Sequence, residues 1–343
     1  MAHMRIKDIA EQAGVSPATV SRYLNNRPGQ MTEQTRARIA EVIERTGYRP
    51  RAAARNLRST RTNLIGVILA DIANPYSSAM LEGLSAAAAR RGCSLMTAIS
   101  ANDPAQELDA LNRLVDAGVD GIALNTCGGN DEAIAEVAAR VPLVLLDRDI
   151  ESGGIDLVTS NNRSLVAGLV DELVKSGCEG LCLLTEASDM SPVRRERADA
   201  FMSEITARGI AGEVVALPDG GEQGRGNLDT ALVENAGRKL GLIAVNGLVF
   251  LRLTEALAQL GPSLPGALRI ATFDDYPWNH VLFGGVTTAA QDTEAIAERL
   301  MGRLSERIDV ATSAVGESAR LDNVRIEVPG TVVRRASTAR ADG

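Results

Sequence analysis

Residues 6–26 read IKDIAEQAGVSPATVSRYLNN, and the spacing within this stretch decides the fold of the amino-terminal region. Apolar or small residues at Ile6, Ile9, Ala10, Ala13, Val15, Val20 and Leu24 trace the inner faces of two short helices. Ala10 is small enough for a second helix to cross closely. Gly14 stands where a tight turn needs positive φ, and Ser16-Pro17 supplies an N-cap followed by proline at the first helical position. This is the pattern of a helix-turn-helix, whose second helix enters the DNA major groove. That helix would present Pro17, Ala18, Thr19, Ser21, Arg22 and Asn25, with Ser16 at its start. Such a set offers apolar contact to thymine methyls and a guanidinium to guanine, with Arg22 the expected principal contact.

Working outward, TEQTRARIAEVIERT (32–46) reads as a third helix capped by Thr32, with Ile39, Val42 and Ile43 completing a small core and Gly47 ending it. Tyr48-Arg49-Pro50 leads into RAAARNLRSTRTN (51–63), a proline-started helix of about two turns, too short to be stable alone in water. Ala53, Ala54 and Leu57 lie on one side of it, with Arg51, Arg55 and Arg58 around them. Residues 1–62 hold 12 Lys+Arg against 5 Asp+Glu, a net of +7, while the rest of the 343 residues carries −15. A basic footprint confined to one end is what phosphate contact requires.

From residue 63 onward apolar runs of strand length alternate with amphipathic helical stretches. LIGVILAD (64–71), SLMTAIS (94–100), DGIALN (120–125), PLVLLD (142–147), DLVTSN (156–161), GLCLLTE (180–186), LIAVN (242–246) and RIATFD (269–274) are the strand candidates. Helices such as SSAMLEGLSAAAARRG (77–92) and SLVAGLVDELVKSG (164–177) lie between them. Alternation of this kind indicates an α/β body with parallel sheets, and the near-continuous apolar strands imply burial on both sheet faces. No strand is followed by G-x-G-x-x-G, GGN (128–130) and GGEQGRG (220–226) lack the context for one, and a P-loop is absent, so dinucleotide and nucleotide chemistry are excluded. The four dispersed cysteines and two histidines favour neither a disulfide framework nor a metal centre, and no cofactor is expected. No apolar stretch approaches the ~20 residues of a membrane span, and the chain starts without an apolar signal core, so the expectation is a cytoplasmic protein without membrane contact.

ATVSRYLN (18–25), GYRPRAAARNL (47–57) and NLIGVILADIANPYSS (63–78) resemble, in that order and spacing, the lactose/galactose repressor family of bacterial transcription regulators. The resemblance runs from about Arg5 to Arg334. It implies a homodimer on a palindromic double-stranded operator, with Leu57 wedged into a central minor-groove step and Ala54 packed beside it. It also implies a body of two lobes like a periplasmic binding protein, crossed three times by the chain, with a small effector in the cleft between them. The expected organisation is an all-α helix-turn-helix domain at 1–49, a hinge helix and linker at 50–62, and the two-lobed body at 63–335. The first lobe would take about 63–161 and 291–322, the second about 162–290 and 323–335, leaving 336–343 as a disordered tail. The tail TVVRRASTARADG (331–343) lacks heptad leucines, so a tetramerising coiled coil is not expected.

Polar residues gather at the carboxyl ends of the strands, where open α/β sheets place ligands. Matched to the family, Asn125, Arg197, Asn246 and Asp274 fall where relatives bond ligand hydroxyls, Tyr76 and Trp278 fall at the cleft mouth, and Gln291 falls at a crossover strand end. Arg148 ends another strand. Ser191-Pro192 starts a helix carrying Arg194 and Arg197 on its first two turns, and a helix N-terminus with guanidinium groups is an anion site. Asn246-Gly247 departs from the Asn-Asp common in members that bind neutral sugars. With SRYLN, NPYSS, VNG and FDDYPWN, this makes the chain most similar to the branch whose effectors are keto-sugar acids such as 2-ketogluconate or 2-keto-3-deoxygluconate. A neutral pentose or hexose is the alternative. A solute-binding protein would have no use for residues 5–58. A sugar-acid enzyme would need a catalytic group, and the sequence offers only Asp274-Asp275, whose adjacent side chains diverge, so no catalytic residue is assigned.

Overall fold

Ile9, Ala10, Ala13, Val20, Ile39 and Val42 are the buried side chains that hold three amino-terminal helices together. These are α1 (Ile6–Ala13), α2 (Pro17–Leu24) and α3 (Glu33–Thr46). Gly14 closes α1 at φ 63°, as a glycine-ended helix requires, and the Thr32 side chain accepts a hydrogen bond from the Thr35 backbone to cap α3. The computed structural model describes residues 4–24, 31–48, 61–186, 191–217, 222–235, 237–258, 268–313 and 321–339. It separates into two units, Met1–Thr62 and Asn63–Gly343. Asn25, Ala54 and Leu57 lie outside the described residues, as does the hinge stretch from 49 to 60.

The second unit contains two six-stranded sheets. β1 (Leu64–Leu69), α4 (Pro75–Arg90), β2 (Ser94–Ile99), α5 (Pro104–Asp116), β3 (Gly121–Leu124), α6 (Asp131–Ala138), β4 (Leu143–Leu146) and β5 (Asp156–Ser160) build the first. The chain then crosses to form α7 (Asn162–Lys175), β6 (Gly180–Thr185), α8 (Pro192–Arg208), β7 (Ala211–Ala216), α9 (Glu222–Glu234), β8 (Leu240–Ala244), α10 (Gly247–Leu257), β9 (Leu268–Phe273) and β10 (Thr287–Ala290). It returns as α11 (Thr293–Thr312) and β11 (Arg325–Val328), and crosses a third time into β12 (Thr331–Val333). The sheet orders are β11-β5-β4-β3-β1-β2 and β12-β10-β9-β8-β6-β7. All pairings are parallel except β10 with β12.

Met80, Leu84, Leu300 and Leu304 cover one face of the first sheet, and Leu111, Leu114, Ile134 and Val137 cover the other. In the second lobe Phe201, Phe250 and Phe273 are fully buried, each such side chain stabilising the fold by ~1.5–3 kcal/mol.

Three sequence expectations are corrected. β2 is not buried on both faces: Met96 and Ile99 are exposed, because a terminal strand has a neighbour on one side only. The second lobe does not begin again at 323, since β11 pairs with β5 in the first sheet and the crossing comes after Val328. The chain beyond 335 is not wholly a disordered tail: Ser337 and Thr338 are buried, Ser337 Oγ donates to the Ile270 carbonyl at 2.6 Å, and the Thr338 and Thr287 hydroxyls lie 2.6 Å apart. Of these two residues that read as polar tail from composition, Ser337 satisfies the β9 and β10 backbone, its hydroxyl also accepting from the Thr287 N–H at 2.9 Å, and Thr338 pairs with the Thr287 side chain. Among the described residues no helix is long and apolar enough to cross a membrane.

Candidate functional site

The two sheets present the carboxyl ends of their strands to one another across the crossovers. Asp147 leaves β4 and Asp274 leaves β9 with φ of 64° and 70°, left-handed conformations that aspartate tolerates better than most residues and that turn the chain sharply at the strand end. Asn246 follows β8 and caps α10, its side chain accepting from the Val249 backbone at 2.9 Å. Gln291 follows β10 and joins the lobes. Its amide nitrogen donates to Asp274 Oδ1 at 2.6 Å, and its oxygen accepts from Ser160 Oγ of the first lobe at 2.6 Å.

Arg197, on the second turn of α8, is buried and held on three sides. Its Nε donates to Asn162 Oδ1 at 2.8 Å, another guanidinium nitrogen donates to the Val245 carbonyl at 2.8 Å, and its plane lies 3.9 Å from the Phe273 ring centre. Arg148 is also buried and donates to the Thr126 carbonyl and the Asn102 side chain. Arg194 is ion-paired with Glu186, the residue that follows β6. Burial pushes the Arg194 pKa down, the Arg148 and Arg197 charges push it the same way, and Glu186 opposes them. Burial raises the Asp274 carboxyl above the usual carboxylate range, with Arg197 and the Gln291 bond resisting. Tyr76 is buried beside Asp147 and Asp274, and burial followed by those two charges keeps its phenol protonated far into alkali. It is therefore a donor, and its hydroxyl has no partner among the described residues.

Tyr76, Arg148, Arg194, Arg197, Asn246, Asp274 and Gln291 come together around an inner cavity of about 20 Å³. Asn74, Asp147 and Val193 complete its lining. Asp147 ends its strand as its neighbours end theirs, so the gathering of polar residues at strand ends already marked it. Two other sequence candidates lie elsewhere. Asn125 spends its amide on the backbone, donating to the Leu146 carbonyl at 2.9 Å and accepting from the Ala70 N–H at 3.4 Å, so it pins three strand ends together. Trp278 stacks on Tyr276 with ring centres 4.7 Å apart and packs on the core of the second lobe. Tyr276 in turn explains Gly247, since a Cβ at 247 would stand 2.6 Å from the tyrosine Cε2. An aromatic ring occupies the space beside Asn246 where a larger residue at 247 would have to fit.

The inner cavity adjoins a cleft of about 1120 Å³ that shares Arg148 and Arg194 with it and extends past Ser191, Glu186 and residues 127–133, which lead into α6. Polar contacts span the lobes around these spaces. Arg325 of β11 reaches both Glu196 oxygens of α8 at 2.9 and 3.0 Å, and Arg195 approaches Glu151 at 3.5 Å. Such exposed pairs contribute ~0–1 kcal/mol each, so they permit relative movement.

In the amino-terminal unit, Ser16, Pro17, Ala18 and Arg22 are exposed on and before α2, with Thr19 and Ser21 half-buried. The Ser16 hydroxyl caps α2, accepting from the Thr19 N–H at 3.2 Å and pairing with its hydroxyl at 2.9 Å. Val20 on the opposite side is fully buried.

Residues 5–51 match the family model of bacterial regulatory proteins of the lacI family, and residues 65–301 match that of a periplasmic binding protein domain. The HTH-type transcriptional regulator PtxS of Pseudomonas putida is 35% identical over 304 residues, covering 87% of this chain and 89% of that protein. The HTH-type transcriptional regulator KdgR of Bacillus subtilis is 32% identical over 313 residues, covering 90% and 92%. The crystal structure of the Lac repressor dimer bound to operator and the anti-inducer ONPF superposes with a TM-score of 0.81 at 21% identity, covering 98% of this chain and 99% of that one.

Proposed function

The chain belongs to the lacI family of bacterial regulatory proteins, and from that premise we propose that it is a dimeric repressor released from a palindromic operator by a small sugar acid bound between its lobes. The observation that carries the effector class is the gathering of Arg148, Arg194 and Arg197 near the amino end of α8, where the inner cavity also holds Tyr76, Asn246, Asp274 and Gln291. Guanidinium groups and a helix N-terminus favour a carboxylate. Asn246, Asp274 and the Tyr76 phenol suit the hydroxyls of a sugar chain. The resemblance to the keto-sugar-acid branch supports the same class, with 2-ketogluconate or 2-keto-3-deoxygluconate the preferred candidates.

We read the site as one for binding rather than turnover, since the two carboxylates nearest Arg194 and Arg197 are committed, Glu186 to Arg194 and Asp274 to Gln291 and the Gly247 N–H. The inner cavity has room for about one water molecule, so a six-carbon acid must enter by the adjoining cleft as the lobes part. Effector and operator then compete through the lobe equilibrium: a ligand shifts DNA affinity only by its differential affinity for the two lobe states, and DNA changes ligand affinity by the same factor.

Calorimetric titration with 2-ketogluconate, 2-keto-3-deoxygluconate, gluconate, ribose and glucose tests the reading. Micromolar binding restricted to the acids is expected, and binding of a neutral sugar alone would overturn it. For the DNA side, Leu57→Ala is expected to lose specific operator affinity by a few kcal/mol while nonspecific, salt-sensitive binding is largely kept. Equal losses on operator and random DNA in a competition assay would contradict a wedge at Leu57.

A further inference from the structure

Arg197 has two of its three nitrogens committed to the protein, whereas Arg194, one turn closer to the start of α8, is balanced by a single carboxylate. The geometry points to Glu186 as an internal carboxylate that occupies Arg194 in place of the effector's, with the Ser191 hydroxyl and Arg194 together forming the seat from which it is displaced. This rests on the sugar-acid reading and adds to it which groups meet the acid and what sets its affinity.

Two independent observations place the seat there. Ser191 is the N-cap of a helix running from Pro192 to Arg208, yet its side chain makes no capping bond. Its hydroxyl is buried, at 9% residue exposure, and has no partner among the described residues, while the residue lines the cleft beside Arg194. A buried hydroxyl left unmatched costs ~1–3 kcal/mol, so a partner oxygen arriving at that point is favoured. Glu186 and Arg194 are also mostly buried, with side-chain exposures of 17% and 13%. In such surroundings an unbalanced guanidinium is expensive and a balanced one is stable, so exchange of one carboxylate for another is the low-cost route.

Charge decides the consequence. Acidic side chains already outnumber the guanidinium groups of Arg148, Arg194, Arg195 and Arg197 along the two spaces. An added carboxylate deepens that negative excess unless Glu186 withdraws from Arg194 or takes up a proton. A neutral sugar imposes no such requirement. Glu186 thus acts as a specificity-setting residue: it holds the ligand-free site together and weakens acid binding to a level that can be reversed.

Calorimetry on full-length protein with 2-ketogluconate, gluconate and glucose tests this. Glu186→Gln is expected to bind the acids at least tenfold more tightly than the parent chain, with the response to glucose unchanged. Ser191→Ala is expected to weaken acid binding about fivefold or more, again without effect on glucose. If Glu186→Gln is not recovered folded, as judged by its thermal unfolding transition, the Ser191→Ala titration alone decides whether the seat lies at the start of α8. Acid binding by the parent chain with unaltered or weakened affinity in Glu186→Gln would overturn the role of Glu186 while leaving the effector class standing. Unaltered acid binding in Ser191→Ala would remove the seat in the same way. Absence of acid binding by the parent chain would overturn both readings together.

Discussion

Asp156→Ala is expected to destabilise the folded chain by ~3–5 kcal/mol, the cost of stranding the cationic partners of a buried carboxylate. The Asp156 side chain is fully buried at the start of β5. It accepts from Arg303 Nε at 2.8 Å and Arg307 Nε at 2.7 Å, both on α11, and from the Val324 backbone N–H at 2.7 Å. One carboxylate therefore ties the last helix of the first lobe and the lead into β11 to the strand from which the chain first crosses. Arg303 and Arg307 also reach the Asp322 carbonyl, so the alanine variant loosens the 321–324 segment as well. Chemical denaturation checks the magnitude; a loss below about 1 kcal/mol, typical of an exposed pair, would contradict it.

The same group sets an acid limit. Burial disfavours its ionisation, but the bonds from Arg307 and Arg303 and the Val324 N–H outweigh that and hold the carboxyl below the usual range. A folded-state pKa below the unfolded value means the contribution is fully present above about pH 4, the unfolded aspartate value, and is lost as pH falls through the folded pKa. Parent and Asp156→Ala stabilities should therefore converge on acidification below pH 4. A constant gap down to pH 2 would show that the carboxylate's charge is not what the arginines hold.

Arg197→Lys is expected to lose effector affinity on the order of 100-fold, about 3 kcal/mol, although the charge is kept. The guanidinium holds the Val245 carbonyl just before Asn246, the Asn162 side chain at the first crossover, and the Phe273 face just before Asp274. A point-charged ammonium on a flexible stem cannot make both bonds and stack. Asn246 and Asp274, proposed above to meet the ligand's hydroxyls, then lose their fixed neighbour, so the deficit should appear with every effector the parent binds. Undiminished affinity in calorimetry would show that Asn246 and Asp274 are positioned without Arg197.

Gly14, Ser16-Pro17 and Thr32 write helix ends into local chemistry, and the α1, α2 and α3 boundaries follow from them because capping depends on residues three or four apart. Strand-end aspartates and asparagines were legible in the same way, and seven of the nine effector candidates meet around one cavity. The exceptions show the limit. Asn125 looks like a ligand contact from its place after β3, but whether its amide faces the cleft or the backbone depends on how closely β1 and β4 approach. Trp278 was drawn to the core by Tyr276 and the second-lobe side chains it packs on, which no spacing along the chain encodes.

The sequence by itself determined the basic helical module, the β/α alternation and the arginine-bearing helix start, since each rests on periodicity, caps or charge within a few residues. Only the tertiary structure decided that β11 completes the first sheet, that Ser337 and Thr338 are buried against β9 and β10, and that Glu186 stands on Arg194. Those outcomes depend on edges and partners brought together from distant segments, and hydrogen-bond satisfaction across a crossover is a property of the assembled lobes.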